Sequence, residues 1–311
     1  MPKMSTETAT RLRLALSGPT MGTRWSAIAY PPEGIDAVAL EEALAEDCTR
    51  VDGQMSTWKP GSDLMRLNRA PLGQWQSVPP ELGYVLALGE GVRRRSEGRF
   101  DMAVLASVEA AGFGAQTGLP LPLTSGGTQD SIEIDLDAGR VRRLRAVGID
   151  LSGIAKGFAV DLMCRTMERF GIADYLVGLD GEIAAGGARG DGRPWTVALE
   201  APVPGTRDVA ARLQLSNAAL ATSGNYRHRR CVDGRWLSHT IDPRTGAPAE
   251  TDLVSVTVHM ADCVLADAWA TALLVAGRNA AQLLCTENGI DAILMAETET
   301  GFETTGCGAF R

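Results

Sequence analysis

The sequence is short of the features that would place it at once. No run of 18 apolar residues occurs, so no membrane-crossing helix is expected. There is no long basic cluster. The arginine triplet at 93–95 is brief and fits a helix face, and the net charge is −8 with a pI of about 5.1. That balance argues against nucleic acid as the main partner. The six cysteines (Cys48, Cys164, Cys231, Cys263, Cys285 and Cys307) show no CxxC or CxH spacing. A zinc site and a disulfide framework are therefore not expected, and buried reduced thiols are. Neither a GxSxG elbow nor an HExxH helix is present. The opening residues lack the apolar stretch of a secretory signal. As it stands the chain reads as cytoplasmic, with the periplasm the alternative if a leader has been removed.

What is present is an ordinary globular composition: 311 residues, 45% hydrophobic and 22% charged. A sizeable core is available, in one large domain or two smaller ones. Residues 1–20 read as a flexible lead-in. Residues 24–30 alternate like a strand. Residues 35–55 have helical spacing, with Val38, Leu40, Leu44 and Val51 as core candidates. Ser62 is placed to cap a short helix carrying Leu64, Met65 and Leu67. A helix is expected over 80–97, ended by Gly98, and a surface loop over 113–130. Short strands at 131–137 and 140–146 meet at Ala138-Gly139. A helix over 156–169, a strand and glycine-rich turn near 175–187, and strand-like pieces within 195–226 follow. The spacing then predicts a strand over 253–260, a helix over 264–277 and a strand over 291–297. Helices interleaved with hairpin-linked strands favour α+β over a doubly wound sheet. A loose pattern of a helix followed by several strands reads twice along the chain, which fits two related halves.

Six stretches could carry chemistry. In "IDLSGIAKGFAVD" (149–161) a turn at Gly153–Gly157 leads toward a helix beside Lys156, flanked by Asp150 and Asp161. Free backbone N–H groups and an ammonium suit an anion such as phosphate. A plain strand-to-helix turn with a solvated lysine fits as well, and the P-loop spacing is missing. In "ADAWATALLVAG", Asp267 and Thr271 are four apart and share a helix face. A carboxylate and a hydroxyl there suit a hard cation such as Mg2+ better than zinc. The alternative is an exposed acid with a threonine bonded back to its own helix. In "SHTIDPRTGAP" (238–248), His239 is either a structural hydrogen-bonding group or a general base. Trp58, in a loop, either stacks on a planar ligand or anchors packing. Phe100 and Asp101 in "GRFDMAV" either frame a ligand or form a helix-to-strand turn. The hydroxyls of "ATSGNY" (221–226) either bind phosphate or close a turn.

Taken in order, "MGT" (21–23), "MSTW" with "SDLMRLN" (55–68), "GRFD" (98–101), "IDLSGIAKGFAVD", "GLDGEIAAGG", "ATSGNY", "HTIDPRTGAP" and "ADAWATALLVAG" resemble the ApbE family of flavin transferases. The resemblance covers about residues 20–300. It implies one T-fold-like α+β domain over 21–311, in two α/β halves with mixed and antiparallel sheets and a boundary near the 113–130 loop. It also implies Mg2+-dependent transfer of FMN from FAD to a Thr or Ser hydroxyl of a partner flavoprotein, with release of AMP. The alternatives are an FAD pyrophosphatase and a flavin carrier without turnover. By the same resemblance Gly153 (through its carbonyl), Asp267 and Thr271 are metal ligands. Met21, Trp58, Arg99, Phe100, Asp101, Asp150, Lys156 and Ile241 contact FAD, and His239 helps deprotonate the acceptor. Two departures stand out: Asp180 where the family usually has Gly, and Ala103 where Thr is common.

Overall fold

A computed structural model describes residues 12–123, 129–203, 205–226, 229–232, 235–299 and 301–311. In chain order, β1 (Leu14–Thr20) and β2 (Thr23–Ala29) form a hairpin, followed by α1 (Ala37–Met55) and α2 (Asp63–Arg69). Then come β3 (Gln76–Ser77), α3 (Pro80–Arg95), α4 (Leu105–Ala110), β4 (Ile132–Asp135) and β5 (Arg140–Arg143). The middle of the chain holds α5 (Ala155–Arg169), β6 (Tyr175–Leu179), β7 (Glu182–Gly186), β8 (Trp195–Glu200), β9 (Val209–Leu215) and β10 (Ala218–Gly224). Short pairs β11 (Arg229–Val232) with β12 (Arg235–Ser238), and β13 (Ile241–Asp242) with β14 (Ala247–Pro248), precede β15 (Leu253–Met260). The chain closes with α6 (Cys263–Ala276), α7 (Arg278–Asn288), β16 (Asp291–Thr298) and β17 (Gly301–Cys307).

An eight-stranded sheet of order β1-β2-β6-β7-β10-β15-β16-β17 organises the molecule, and every neighbouring pair in it is antiparallel. Its strands alternate in side-chain direction, as a period of two requires. One face, with Trp25, Ala27, Val177, Leu179, Ala219, Ala221, Val256 and Val258, is buried with α1, α5 and α6 in the main core. The other face is covered in part by the β8–β9 hairpin, where Trp195, Val197 and Leu215 meet Ala185 and Leu220. The strand order falls into two runs of four, β1-β2-β6-β7 and β10-β15-β16-β17. Each run is two strands, then helices, then two strands. In that order the divide lies between β7 and β10. Residues 113–130 instead fall between α4 and β4, inside the first run; of these, 124–128 lie outside the described residues.

Several expectations need correction. Residues 14–20 are not flexible. They pair along their whole length with β2, and Leu14 and Leu16 pack on the main core; residues 1–11 lie outside the described residues. Val38 is 65% exposed, because Leu40, Leu44 and Val51 already define the inward face of α1. The "ATSGNY" segment is mostly strand, since β10 runs to Gly224 and pairs with β15 there. Neither α7 nor β17 was anticipated. Ser62 caps α2 as expected, accepting from Met65 N at 3.1 Å. Cys48, Cys164, Cys263, Cys285 and Cys307 are free thiols. Among the described residues no helix is long and apolar enough to cross a membrane.

Candidate active site

The stretch before α5 is held from two sides. Asn68 on α2 donates to the Ile149 carbonyl at 2.8 Å and accepts from its N–H at 2.9 Å. Asp150 N donates to the Met102 carbonyl at 2.8 Å, so the "GRFDMAV" and "IDLSG" segments lie side by side. Each contains a buried acid folded onto its own backbone. Asp101 accepts from Ala103 N at 2.8 Å, and Asp150 from Ser152 N at 2.7 Å. Burial raises the Asp150 pKa, and its bonds to Ser152 only partly offset this. Phe100 is buried with its ring edge on Gly153.

Helices α5 and α6 cross at Gly157. A Cβ there would lie 2.4 Å from the Cys263 carbonyl oxygen and 2.8 Å from the Asp267 Cβ, so only glycine allows this approach. Gly157 N donates to Asp267 Oδ2 at 2.9 Å. A carboxylate from α6 thus meets an unpaired N–H in the first turn of α5, where helix geometry leaves donors free and the dipole favours negative charge. Asp267 is 3% exposed. Its pKa is raised by burial, against the charge of Lys156 and the Gly157 bond. One turn further along α6, Thr271 Oγ1 lies 3.0 Å from Ser223 Oγ on β10. It would also lie 3.1 Å from a Cβ on Gly153. The exposed-acid alternative for Asp267 is therefore wrong.

Lys156 is not a solvated lysine. Its ammonium donates to both oxygens of Glu182, at 2.9 and 3.0 Å, and lies 3.5 Å from Asp180 Oδ2. Burial pulls its pKa down, but Glu182, Asp267 and Asp180 outweigh that and leave it raised. Burial and Asp267 push the Glu182 carboxyl up, while Lys156 opposes them. Asp180 occupies the β6–β7 turn at φ 57, a left-handed conformation that Gly takes freely and Asp tolerates.

The remaining expected residues lie on the β1–β2 turn, between α1 and α2, in the "GRFD" turn and at β13. Met21 (φ 45) and Gly22 (φ 72) form the two-residue turn between β1 and β2. The Trp25–Leu179 pairing puts that turn at the same end of the sheet as Asp180. Trp58 is 69% exposed. Arg99 bonds Glu97 at 2.6 Å, and its buried Nε has no protein partner. Burial alone would raise the Asp242 carboxyl. The side chain and backbone of Arg244, with the charge of Arg99, hold it below its ordinary value. That places the "GRFD" turn beside the "DPRTG" loop. Ile241 is buried, and the His239 ring stands edge-on to Phe113 at 6.3 Å between centroids.

The structure therefore gathers Phe100, Gly153, Lys156, Asp267 and Thr271. It adds Glu182, which sequence reasoning did not single out, brings in Ser223 from the "ATSGNY" hydroxyls, and puts Asp180 among them. Among the described residues no three His, Cys, Asp or Glu side chains converge as metal ligands. A cation here would draw on one carboxylate together with hydroxyl and carbonyl oxygens. That donor set fits a hard ion that keeps water or phosphate in its remaining positions, as Mg2+ does.

Solved flavin transferases share this fold. The Vibrio cholerae flavin transferase ApbE matches with a TM-score of 0.86 at 31% identity, covering 96% of this chain and 98% of that one. The Pseudomonas stutzeri flavinyl transferase ApbE in its apo form matches with a TM-score of 0.85 at 31% identity, covering 95% of each chain. The sequence profile of the ApbE family matches residues 21–294, and the chain belongs to that family. Relatives by sequence include the FAD:protein FMN transferase of Haemophilus influenzae, 33% identical over 317 residues, covering 96% of this chain and 90% of that protein. The same enzyme of Klebsiella pneumoniae is 31% identical over 310 residues, covering 95% and 88%.

Proposed function

We propose that this chain transfers FMN from FAD to a Thr or Ser hydroxyl of a partner flavoprotein and releases AMP, with Mg2+ bound. The observation that carries the reading is the convergence of Gly153, Asp267 and Thr271 beside Lys156 in an ApbE-family fold. The Gly153 carbonyl, the Asp267 carboxylate and the Thr271 hydroxyl would hold the ion. Bound there, Mg2+ offsets negative charge on the pyrophosphate and on the departing AMP.

The chain's own residues do the rest. Lys156 attracts the phosphates. Trp58 offers an exposed face on which an isoalloxazine can stack. Met21, Arg99, Phe100, Asp101, Asp150 and Ile241 are the further FAD contacts of this reading. The acceptor oxygen attacks the FMN phosphorus, and the bond from that phosphorus to the bridging oxygen breaks. AMP leaves with the electron pair, and the hydroxyl proton passes to His239 acting as general base.

One incubation tests the reading. The protein is mixed with FAD and Mg2+, with and without a peptide carrying a Thr in a flavinylation motif. AMP and FMN are followed by chromatography and the peptide by mass. AMP together with an FMN-sized gain on the peptide supports transfer. AMP and free FMN whether or not peptide is present would make the protein a pyrophosphatase. Intact FAD in every tube would make it a carrier.

A further inference from the structure

The carboxylates that meet Lys156 differ in a way that points to a division of labour. Glu182 is 1% exposed and bonds the ammonium through both oxygens. Asp180 is nearly half exposed, stands at 3.5 Å and bonds it less closely. One partner is buried and fixed; the other faces solvent and can be replaced. Lysine itself is scarce here. Lys3, Lys59 and Lys156 are the lysines of the whole sequence, which otherwise uses arginine for positive charge. An ammonium is a compact point charge that can change partners without the geometry demanded by a guanidinium fork.

We propose that Glu182 is a positioning residue that anchors Lys156, and that Asp180 is a displaceable counter-ion which an incoming phosphate replaces on the same ammonium. This rests on the FAD reading given above. The consequence is that Asp180 weakens binding of an anionic ligand, because the ligand must compete with it, while the chemistry proceeds after Asp180 has swung away. Glu182 does the opposite: it keeps the charge in place in both states.

Asp180→Gly is the direct test, since Gly suits the φ of 57 and removes only the carboxylate. Binding of FAD is read from flavin fluorescence at low salt. The variant is expected to bind about two- to fivefold tighter than wild type, the scale of one exposed ion pair. The gain should shrink as salt rises. Equal or weaker binding by Asp180→Gly overturns the displaceable role.

The anchor is tested without FAD. The folded protein is treated with an amine-acylating ester and labelling is mapped by mass. Lys59, paired with Asp52 at the surface, is the internal reference. Lys156 should label slowly in wild type and severalfold faster in Glu182→Gln, with Lys59 unchanged. Equal labelling of Lys156 in both proteins overturns the anchoring role. If wild type binds no FAD, the flavin reading and the displaceable role fall together, while the labelling still decides the anchor.

Discussion

Asp161 and Asp267 cap each other's helices. Asp161, on α5, accepts from Cys263 N at 2.8 Å and Val264 N at 2.9 Å at the start of α6. Asp267, on α6, accepts from Gly157 N at 2.9 Å at the start of α5. Neither helix has a side-chain cap of its own. The two carboxylates look alike in this respect and are expected to answer substitution differently.

Asp267→Asn keeps an acceptor for Gly157 N and removes the charge from the proposed ion. The fold should survive, and AMP release from FAD should drop about 100-fold or more, the several kcal/mol that a metal contributes to phosphoryl chemistry. Thermal melting and AMP chromatography on one sample check both halves. Wild-type turnover at ordinary Mg2+ would remove Asp267 from the metal set.

Asp161→Asn should act on stability. Burial pushes the Asp161 carboxyl up to about 6, against the two backbone bonds and with Asp262 adding to the rise. A carboxyl raised in the folded state binds its proton more tightly there than in the unfolded chain. Its contribution is full below about pH 4 and is lost as pH rises through about 6. Asn does not titrate. The stability of the variant relative to wild type should therefore rise between pH 4 and 7, by on the order of 3 kcal/mol at most. Urea unfolding of both proteins across that range measures it. A difference that stays flat with pH would contradict the assignment.

Gly157→Ala places a methyl against the Cys263 carbonyl and the Asp267 Cβ. The helices must separate, at a cost of about 1–3 kcal/mol, which exceeds the helix-propensity gain of alanine. Unfolding midpoints should fall and the Mg2+ needed for half-maximal AMP release should rise. An alanine variant as stable as wild type would show that the crossing is looser than described.

Trp58→Ala should leave unfolding within about 0.5 kcal/mol of wild type, as an exposed side chain permits. FAD binding should weaken about tenfold, the scale of one aromatic stack, and Trp58→Phe should restore most of it. Unchanged flavin fluorescence quenching in Trp58→Ala would place the isoalloxazine elsewhere.

Much of this was legible in the sequence because it rests on local spacing. Asp267 and Thr271 share a face by helical period alone, and Gly153, Gly157 and Lys156 lie within one turn. Glu182 was hidden because nothing local marks a carboxylate at a strand start as the partner of a lysine 26 residues earlier. Ser223 was read as a turn hydroxyl because its strand partners lie in β15, far along the chain. Strand β1 was missed for a related reason: "LALSGPT" contains Gly and Pro, and its pairing with β2 is what orders it. Conversely, Asp161 was visible as an acid, while its target, the first turn of another helix, was not.

The strand order also governs how the molecule can be handled. Strands β1 and β17 occupy opposite margins of the eight-stranded sheet. At about 4.8 Å per strand the two margins stand about 34 Å apart. Reporter groups fused beyond each margin would sit far from β7 and β10 in the centre. Such a pair would act as a ruler across the sheet while leaving the corner around Glu182 and Ser223 clear.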